Sequence, residues 1–207
     1  MKIGILGAGT VGSYMGKGWT RSGHEVMYSS REPNSPKMQT LLKDTGDTAS
    51  AGTVAETLAY SDIIAVAIAW DALPEVLQTA GKLPQKILID ATNRFGTPPS
   101  GSVGSAAQDI AHFTGAKVVK AFNTIGAEHY LNPVFNNQAA SMLICGDDAD
   151  AKTVVAGLAL DLGFEVVDVG GLNQAVLLEN LARLWVTLAM SANYGRDIAF
   201  KLLRRSV

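Results

Sequence analysis

Short apolar runs alternate along this chain with segments whose apolar residues recur every three or four positions. The first run, residues 3–6, meets Gly7-Ala8-Gly9-Thr10-Val11-Gly12. An amphipathic stretch follows as far as Arg21, Gly23 ends it, and a second apolar run over residues 25–28 stops at Ser29-Ser30-Arg31. Continuous apolar runs of this length predict buried strands, and three- to four-residue recurrence predicts helix, so the opening reads strand, glycine turn, helix, strand. Residues 62–69 (DIIAVAIA) predict a strand buried on both faces of a parallel sheet, and 86–90 (KILID) and 117–122 (KVVKAF) predict the fifth and sixth strands. Further strands are predicted at 140–145 and 165–169, and a weak one at 48–51.

Helices are predicted over 37–43, 53–60, 72–80, 105–114 and 150–162. Thr53 and Glu56 have capping-box spacing, Asp71 stands where it would cap the helix at 72–80, and Gly81 and Gly163 end helices. Residues 32–36 hold two prolines and read as a loop, and Pro133 stops a helical turn at 128–130. Residues 94–104 form a polar loop with two prolines and three glycines that either covers a site or is slack. Strands and helices alternate throughout, which predicts an α/β Rossmann-type fold: a doubly wound, mostly parallel sheet. No repeat or linker divides the chain, so residues 1–207 are expected to form one domain.

Residues 173–205 are expected to continue as helix. Leu177, Leu181, Leu184, Trp185 and Leu188 recur at helical steps, Glu179 and Arg183 stand at i,i+4, and residues 193–196 interrupt before a last helical stretch at 198–203. So long an apolar face packs on its own sheet or on a second subunit, and a homodimer through these C-terminal helices is expected.

The glycine turn carries the first chemistry. Gly7 permits the tight turn out of the strand, Gly9 lets a pyrophosphate approach the backbone, and Gly12 lets helix and strand pack closely. The helix N-terminus then offers free N–H groups and a positive dipole end to phosphates. An NAD site usually places an acidic residue at the end of the second strand to bind ribose hydroxyls. This chain has Ser30 and Arg31, a hydroxyl and a guanidinium fork suited to a 2′-phosphate, so NADP is favoured. Glu32 is the alternative ribose acid, displaced by one position. Ala69 and Trp70 end one strand and Asn93 follows another, on the edge where doubly wound sheets gather ligands. Trp70 equally suits packing beneath the next helix. Asn123, Thr124 and Ile125 stand at the mouth of the strand at 117–122.

Composition narrows the class. The chain has 207 residues, 47% hydrophobic and 17% charged, with net charge −2, which describes a well-buried fold and offers no basic surface for nucleic acid. The single cysteine, Cys145, lies in an apolar run and reads as a buried structural thiol. His24, His112 and His129 are scattered, and no metal-ligand spacing or nucleophile constellation is present. No apolar stretch has membrane-spanning length, and the chain enters its first strand without a signal-peptide layout, so a cytoplasmic location is expected.

Taken together, GAGTVG, Ser30-Arg31, KAFNTIGA at 120–127, ICGDD at 144–148, the tail FEVVDVGGLNQAVLLENLARLW and GRDIAFKLL after it resemble one family. These are the NADPH-dependent coenzyme F420 reductases and their relatives, among them the cytoplasmic oxidoreductase domains of the STEAP metalloreductases. The resemblance covers nearly the whole chain. It implies hydride transfer between NADP(H) and a flavin or deazaflavin, with FMN, FAD, riboflavin and coenzyme F420 all open as acceptor. It implies that Ser30 and Arg31 hold the 2′-phosphate, that Thr10, Val11 and Gly12 meet the pyrophosphate, and that Ala69 and Trp70 line the nicotinamide side. Asn123, Thr124 and Ile125 would sit where the two ring systems stack. No obligatory catalytic acid or base is implied, because the cofactors carry the electrons. The archaeal deazaflavin reductases carry His where Asn123 stands. Two other readings stay open: an NADP-dependent hydroxyacid dehydrogenase or imine reductase acting on a small substrate, and a non-catalytic NADP-binding sensor.

Overall fold

The computed structural model describes residues 1–96 and 101–205. Ten strands and seven helices occur in it: β1 (Lys2–Leu6), α1 (Thr10–Arg21), β2 (Glu25–Ser29), α2 (Pro36–Thr45), β3 (Ala49–Gly52), α3 (Val54–Tyr60), β4 (Ile63–Val66), α4 (Leu73–Ala80), β5 (Ile87–Asp90), α5 (Ala106–Thr114), β6 (Lys117–Lys120), β7 (Val134–Phe135), β8 (Gln138–Ala139), β9 (Ser141–Gly146), α6 (Ala149–Asp161), β10 (Glu165–Asp168) and α7 (Ala175–Val186). Helix starts follow local chemistry. Thr53 and Glu56 form the expected capping box, Ser105 and Gln108 form a second, and Asp148 accepts from the Ala151 N–H at 2.8 Å. Asp71 does not cap α4. It lies inside a 3₁₀ turn, Trp70–Ala72, and Pro74 in the first turn of α4 has no N–H to be capped.

Eight strands form one sheet in the order β10-β9-β6-β5-β4-β1-β2-β3. All neighbours are parallel except β6 and β9, which run antiparallel. The part 3-2-1-4-5-6 is the doubly wound Rossmann order, reversing between β1 and β4. The apolar strand runs are buried on both faces, as their continuity requires. One core lies beneath α1, α2 and α6 and includes Met15, Trp19, Met38, Val155 and Leu158. The other lies beneath α3, α4, α5 and α7 and includes Leu58, Leu73, Ile110 and Leu178.

Two expectations about chain path are corrected. The strand expected to reach Phe122 ends at Lys120, because Phe122 adopts a left-handed conformation (φ 62°). Packing holds that strained residue: Phe122 is buried edge-on against Trp19 and Tyr130, each at 5.7 Å, and its carbonyl accepts from the Tyr130 hydroxyl.

The segment at 173–205 is helical only in its first part. α7 passes into a π turn, Thr187–Ser191, and then Asn193 (φ 60°) and Gly195 (φ 75°) reverse the chain. Residues 196–205 contain no helix. Their backbone finds partners on the first residue of β9: the Phe200 carbonyl accepts from the Ser141 N–H at 2.9 Å, and the Leu202 N–H donates to Ser141 Oγ at 3.0 Å. The Ile198 carbonyl accepts from Trp185 Nε1 at 2.9 Å. Residues 97–100 of the loop read as either covering a site or slack lie outside the described residues.

Candidate functional site

The reversal of strand order places the C-terminal ends of β1, β4, β5 and β6 side by side, where open α/β sheets collect ligands. The glycine turn leaves β1 here. Gly7 has φ 112°, and its N–H donates to Ser29 Oγ at 3.0 Å, which ties the turn to the end of β2. A Cβ on Gly12 would stand 2.2 Å from the Gly7 carbonyl oxygen, so this glycine sets how closely α1 approaches β1. Gly9 differs from both. A Cβ on it would meet no atom within 4 Å, so its missing side chain serves open space beside the backbone. Gly9 is also the N-cap of α1, and no side chain caps that helix. The N–H groups of its first turn, without intrahelical partners as at any helix start, are left uncapped beside that space. An anion fits this cradle.

At the next strand end, the Ser30 N–H donates to the Gly52 carbonyl at 2.8 Å, and Ser30 Oγ accepts from the Glu32 N–H at 3.0 Å. Arg31 and Glu32 are both exposed, and neither has a salt-bridge partner among the described residues. Ala69 is exposed beyond the end of β4. Trp70 is half-buried, with the Arg94 guanidinium over its ring at 5.3 Å. Arg94 is anchored by Asp109 Oδ2 at 2.8 Å and by Ser102 Oγ at 2.8 Å. One face of the Trp70 ring is thus occupied by Arg94, and the residue also packs against the core beneath α3, α4, α5 and α7.

The ends of β5 and β6 are joined by paired amides. Asn123 Nδ2 donates to Asn93 Oδ1 at 3.0 Å and to the Leu178 carbonyl of α7 at 3.1 Å, and Asn93 Nδ2 donates to the Asn123 carbonyl at 3.2 Å. Asn123 is 6% exposed, and its Oδ1 is buried without a hydrogen-bond partner among the described residues. An orphaned buried acceptor is rare. Thr124 is buried beside it, and Ile125 packs on the α1-side core.

Beneath the amides lies a charged cluster with no counterpart in the sequence reading. Lys120, fully buried, has Nζ 2.8 Å from Asp90 Oδ2 and 3.6 Å from Glu179 Oε1. Glu179 does not pair with Arg183. It accepts from the Ala106 N–H at the start of α5 at 2.8 Å, while Arg183 donates to the Arg94 carbonyl at 3.0 Å. The helical i,i+4 spacing was real, but α7 turns Glu179 inward against the sheet ends. The available signal was charge inside apolar sequence: Lys120 between Val119 and Ala121, and Asp90 closing KILID. Charges in strands buried on both faces must find partners. Cys145, opposite Lys120 on β9, is buried, and that burial pushes its thiol up to about 12.

Fold and glycine turn together are those of an α/β dinucleotide-binding domain. A family model described as NADP oxidoreductase, coenzyme F420-dependent, matches residues 2–94. The crystal structure of a candidate F420-dependent NADP-reductase from Arthrobacter sp. FB24 has 30% identity and a TM-score of 0.84, over 99% of this chain and 100% of that one. The chain belongs to the family of coenzyme F420-dependent NADP oxidoreductases. Metalloreductase STEAP3 of Rattus norvegicus is 31% identical over 179 residues, 84% of this chain and 35% of that protein. The F420-dependent NADP reductase of Methanocaldococcus jannaschii is 32% identical over 100 residues, 48% of this chain and 44% of that protein. The chain thus spans less than half the length of these curated relatives. Among the described residues, no helix is long and apolar enough to cross a membrane, and no His, Cys, Asp and Glu cluster suits a metal ion.

Proposed function

We propose that this chain transfers hydride between NADPH and a flavin or deazaflavin such as coenzyme F420. The observation that carries the reading is the open cradle at Gly9, with nothing within 4 Å of the absent Cβ, at the uncapped start of α1. In this reading, the backbone of Gly7, Gly9, Thr10, Val11 and Gly12 holds the pyrophosphate, and Ser30 and Arg31 hold the 2′-phosphate. Ala69, Trp70 and Asn93 border the nicotinamide, and Asn123, Thr124 and Ile125 border the acceptor ring. The bound nicotinamide supplies the hydride, so the chain's work is alignment and exclusion of water. Asn123 supports this role: its Nδ2 is locked to Asn93 and Leu178, which fixes the amide at the ends of β5 and β6.

The reading includes residues 1–207 as one NADP-binding domain working in the cytoplasm as a homodimer. Support for the dimer is the exposed apolar row of Leu177, Leu184 and Met190, which a second copy would cover. Sedimentation of the protein and of a Leu177→Glu, Leu184→Glu variant tests it: the dimer predicts a fall to monomer, and an unchanged mass for the two would refute it.

The activity is tested by incubating the protein with NADPH and, in turn, FMN, FAD, riboflavin, coenzyme F420, small imines and keto acids, following nicotinamide absorbance. Oxidation with a flavin or deazaflavin is expected. Oxidation only with an imine or keto acid would replace this reading with a small-substrate reductase, and tight NADPH binding with no turnover would replace it with a sensor.

A further inference from the structure

Lys120 stands directly opposite Asp90 at the C-terminal ends of β6 and β5, and both are fully buried. The ammonium reaches three partners: Asp90 Oδ2 at 2.8 Å, Glu179 Oε1 at 3.6 Å and the Thr92 carbonyl. Asp90 Oδ1 in turn accepts from the Thr92 N–H at 2.9 Å and the Thr92 hydroxyl at 2.7 Å. Glu179 closes the cluster against α5 through the Ala106 N–H at 2.8 Å. One buried cation therefore joins the loop after β5, the end of β6 and helix α7.

The same three segments meet again one layer above, in the amide pair. Thr92 adjoins Asn93, Lys120 precedes Asn123 by three residues, and Glu179 follows Leu178, whose carbonyl accepts from Asn123. Stability alone gives no reason for charges here, because well-packed apolar residues commonly replace a buried ion pair without loss. Register does give a reason. Apolar contacts tolerate a small slide of α7 or of either loop, whereas the same slide would leave a buried charge unpaired.

We infer that Lys120, Asp90 and Glu179 form a positioning network that fixes the Asn93–Asn123 amide pair, and through it the surface offered to the hydride acceptor. The role of that surface rests on the proposed function. The action of the network on Asn123 does not.

The test uses a triple variant, Lys120→Met with Asp90→Asn and Glu179→Gln, which removes every charge together and keeps acceptors for the Thr92 and Ala106 N–H groups. It avoids the single Lys120→Met change, which strands two buried carboxylates and unfolds the protein for trivial reasons. Three quantities are read: hydrogen exchange of the Asn123 side-chain amide by NMR, NADPH affinity, and the rate of acceptor reduction. The network predicts a folded variant with NADPH affinity within about twofold, Asn123 amide exchange about tenfold faster or more, and acceptor reduction slower by about 10- to 100-fold, the scale of lost alignment. Placed in an Asn123→Ala background, the triple change should slow reduction no further. Unchanged exchange in a folded variant would overturn the inference, as would a triple variant that fails to fold, since the cluster would then be holding the fold and not the site. Wild-type protein that oxidises no NADPH with any acceptor would refute the proposed function alone, and the exchange measurement would still decide the network.

Discussion

Gly9 and Gly12 lie three residues apart in one motif, yet the structure assigns them different costs. At Gly12 a methyl would sit 2.2 Å from the Gly7 carbonyl oxygen, a backbone atom that cannot swing aside. Gly12→Ala must push α1 off β1, an overpacking loss of about 1–3 kcal/mol. At Gly9 a methyl meets no protein atom within 4 Å, and the backbone (φ −80°, ψ −167°) is extended and open to any residue. Losing glycine at a helix N-cap costs about 0.5–1 kcal/mol, and the reduced freedom of the unfolded chain offsets it by about 0.4–1 kcal/mol. Gly9→Ala should therefore unfold within about 2–4 °C of wild type, the shift that 1 kcal/mol produces in a domain of this size. The same methyl fills the cradle, so NADPH affinity should fall about tenfold or more, equal to about 1.4 kcal/mol. Thermal unfolding without ligand and NADPH titration by calorimetry measure the two effects separately. A Gly9→Ala protein that binds NADPH normally would refute the reasoning, because the open space would then not be where the pyrophosphate lies.

Three further outcomes are expected. Arg31→Ala should weaken NADPH by about 1.5–3 kcal/mol, the scale of charged hydrogen bonds, and leave NADH nearly unchanged; equal losses in paired titrations would mean that Arg31 does not read the 2′-phosphate. Cys145 should resist thiol reagents in the native protein and react on unfolding, since burial raises its thiol to about 12 and removes it from solvent; rapid native-state labelling would contradict that. Glu128 is held below the ordinary carboxylate value by its hydrogen bonds to Arg196 at 2.6 and 2.8 Å. A depressed folded-state value means stability that is present above about pH 4.5 and lost as pH falls through the lower folded value, so Arg196→Ala should flatten the stability profile in acid. The pair is largely solvated, so the difference should stay within about 0.2–1 kcal/mol. Equal acid slopes in the two proteins would mean the pair contributes nothing.

The Rossmann-type fold was legible because most of its strands are short apolar runs with glycines at the turns, and such alternating runs and helices favour a parallel sheet. The glycine turn was legible for a related reason: Gly7 answers a positive φ and Gly12 a close approach of α1 to β1, both local needs. What stayed hidden depends on distant partners. Glu179 and Arg183 have the spacing of a surface pair, and only the docking of α7 against α5 and the end of β6 turns Glu179 inward. The apolar residues at 198–203 suit a helix as well as an extended strap, and the backbone N–H and hydroxyl of Ser141 at the start of β9 hold the strap. Phe122 shows the same limit, because its left-handed backbone is imposed by aromatic packing and not by its own preference.

The central claim is that this chain aligns NADPH for hydride transfer to a flavin-type ring. It is tested most directly by mixing the protein with coenzyme F420, or with FMN, and NADPH deuterated in turn on each face of the nicotinamide C4. The account predicts reduction of the acceptor, slowed by deuterium on one face only and with that deuterium lost from the nicotinamide. NADPH that binds but remains unoxidised with every flavin and deazaflavin offered would contradict it.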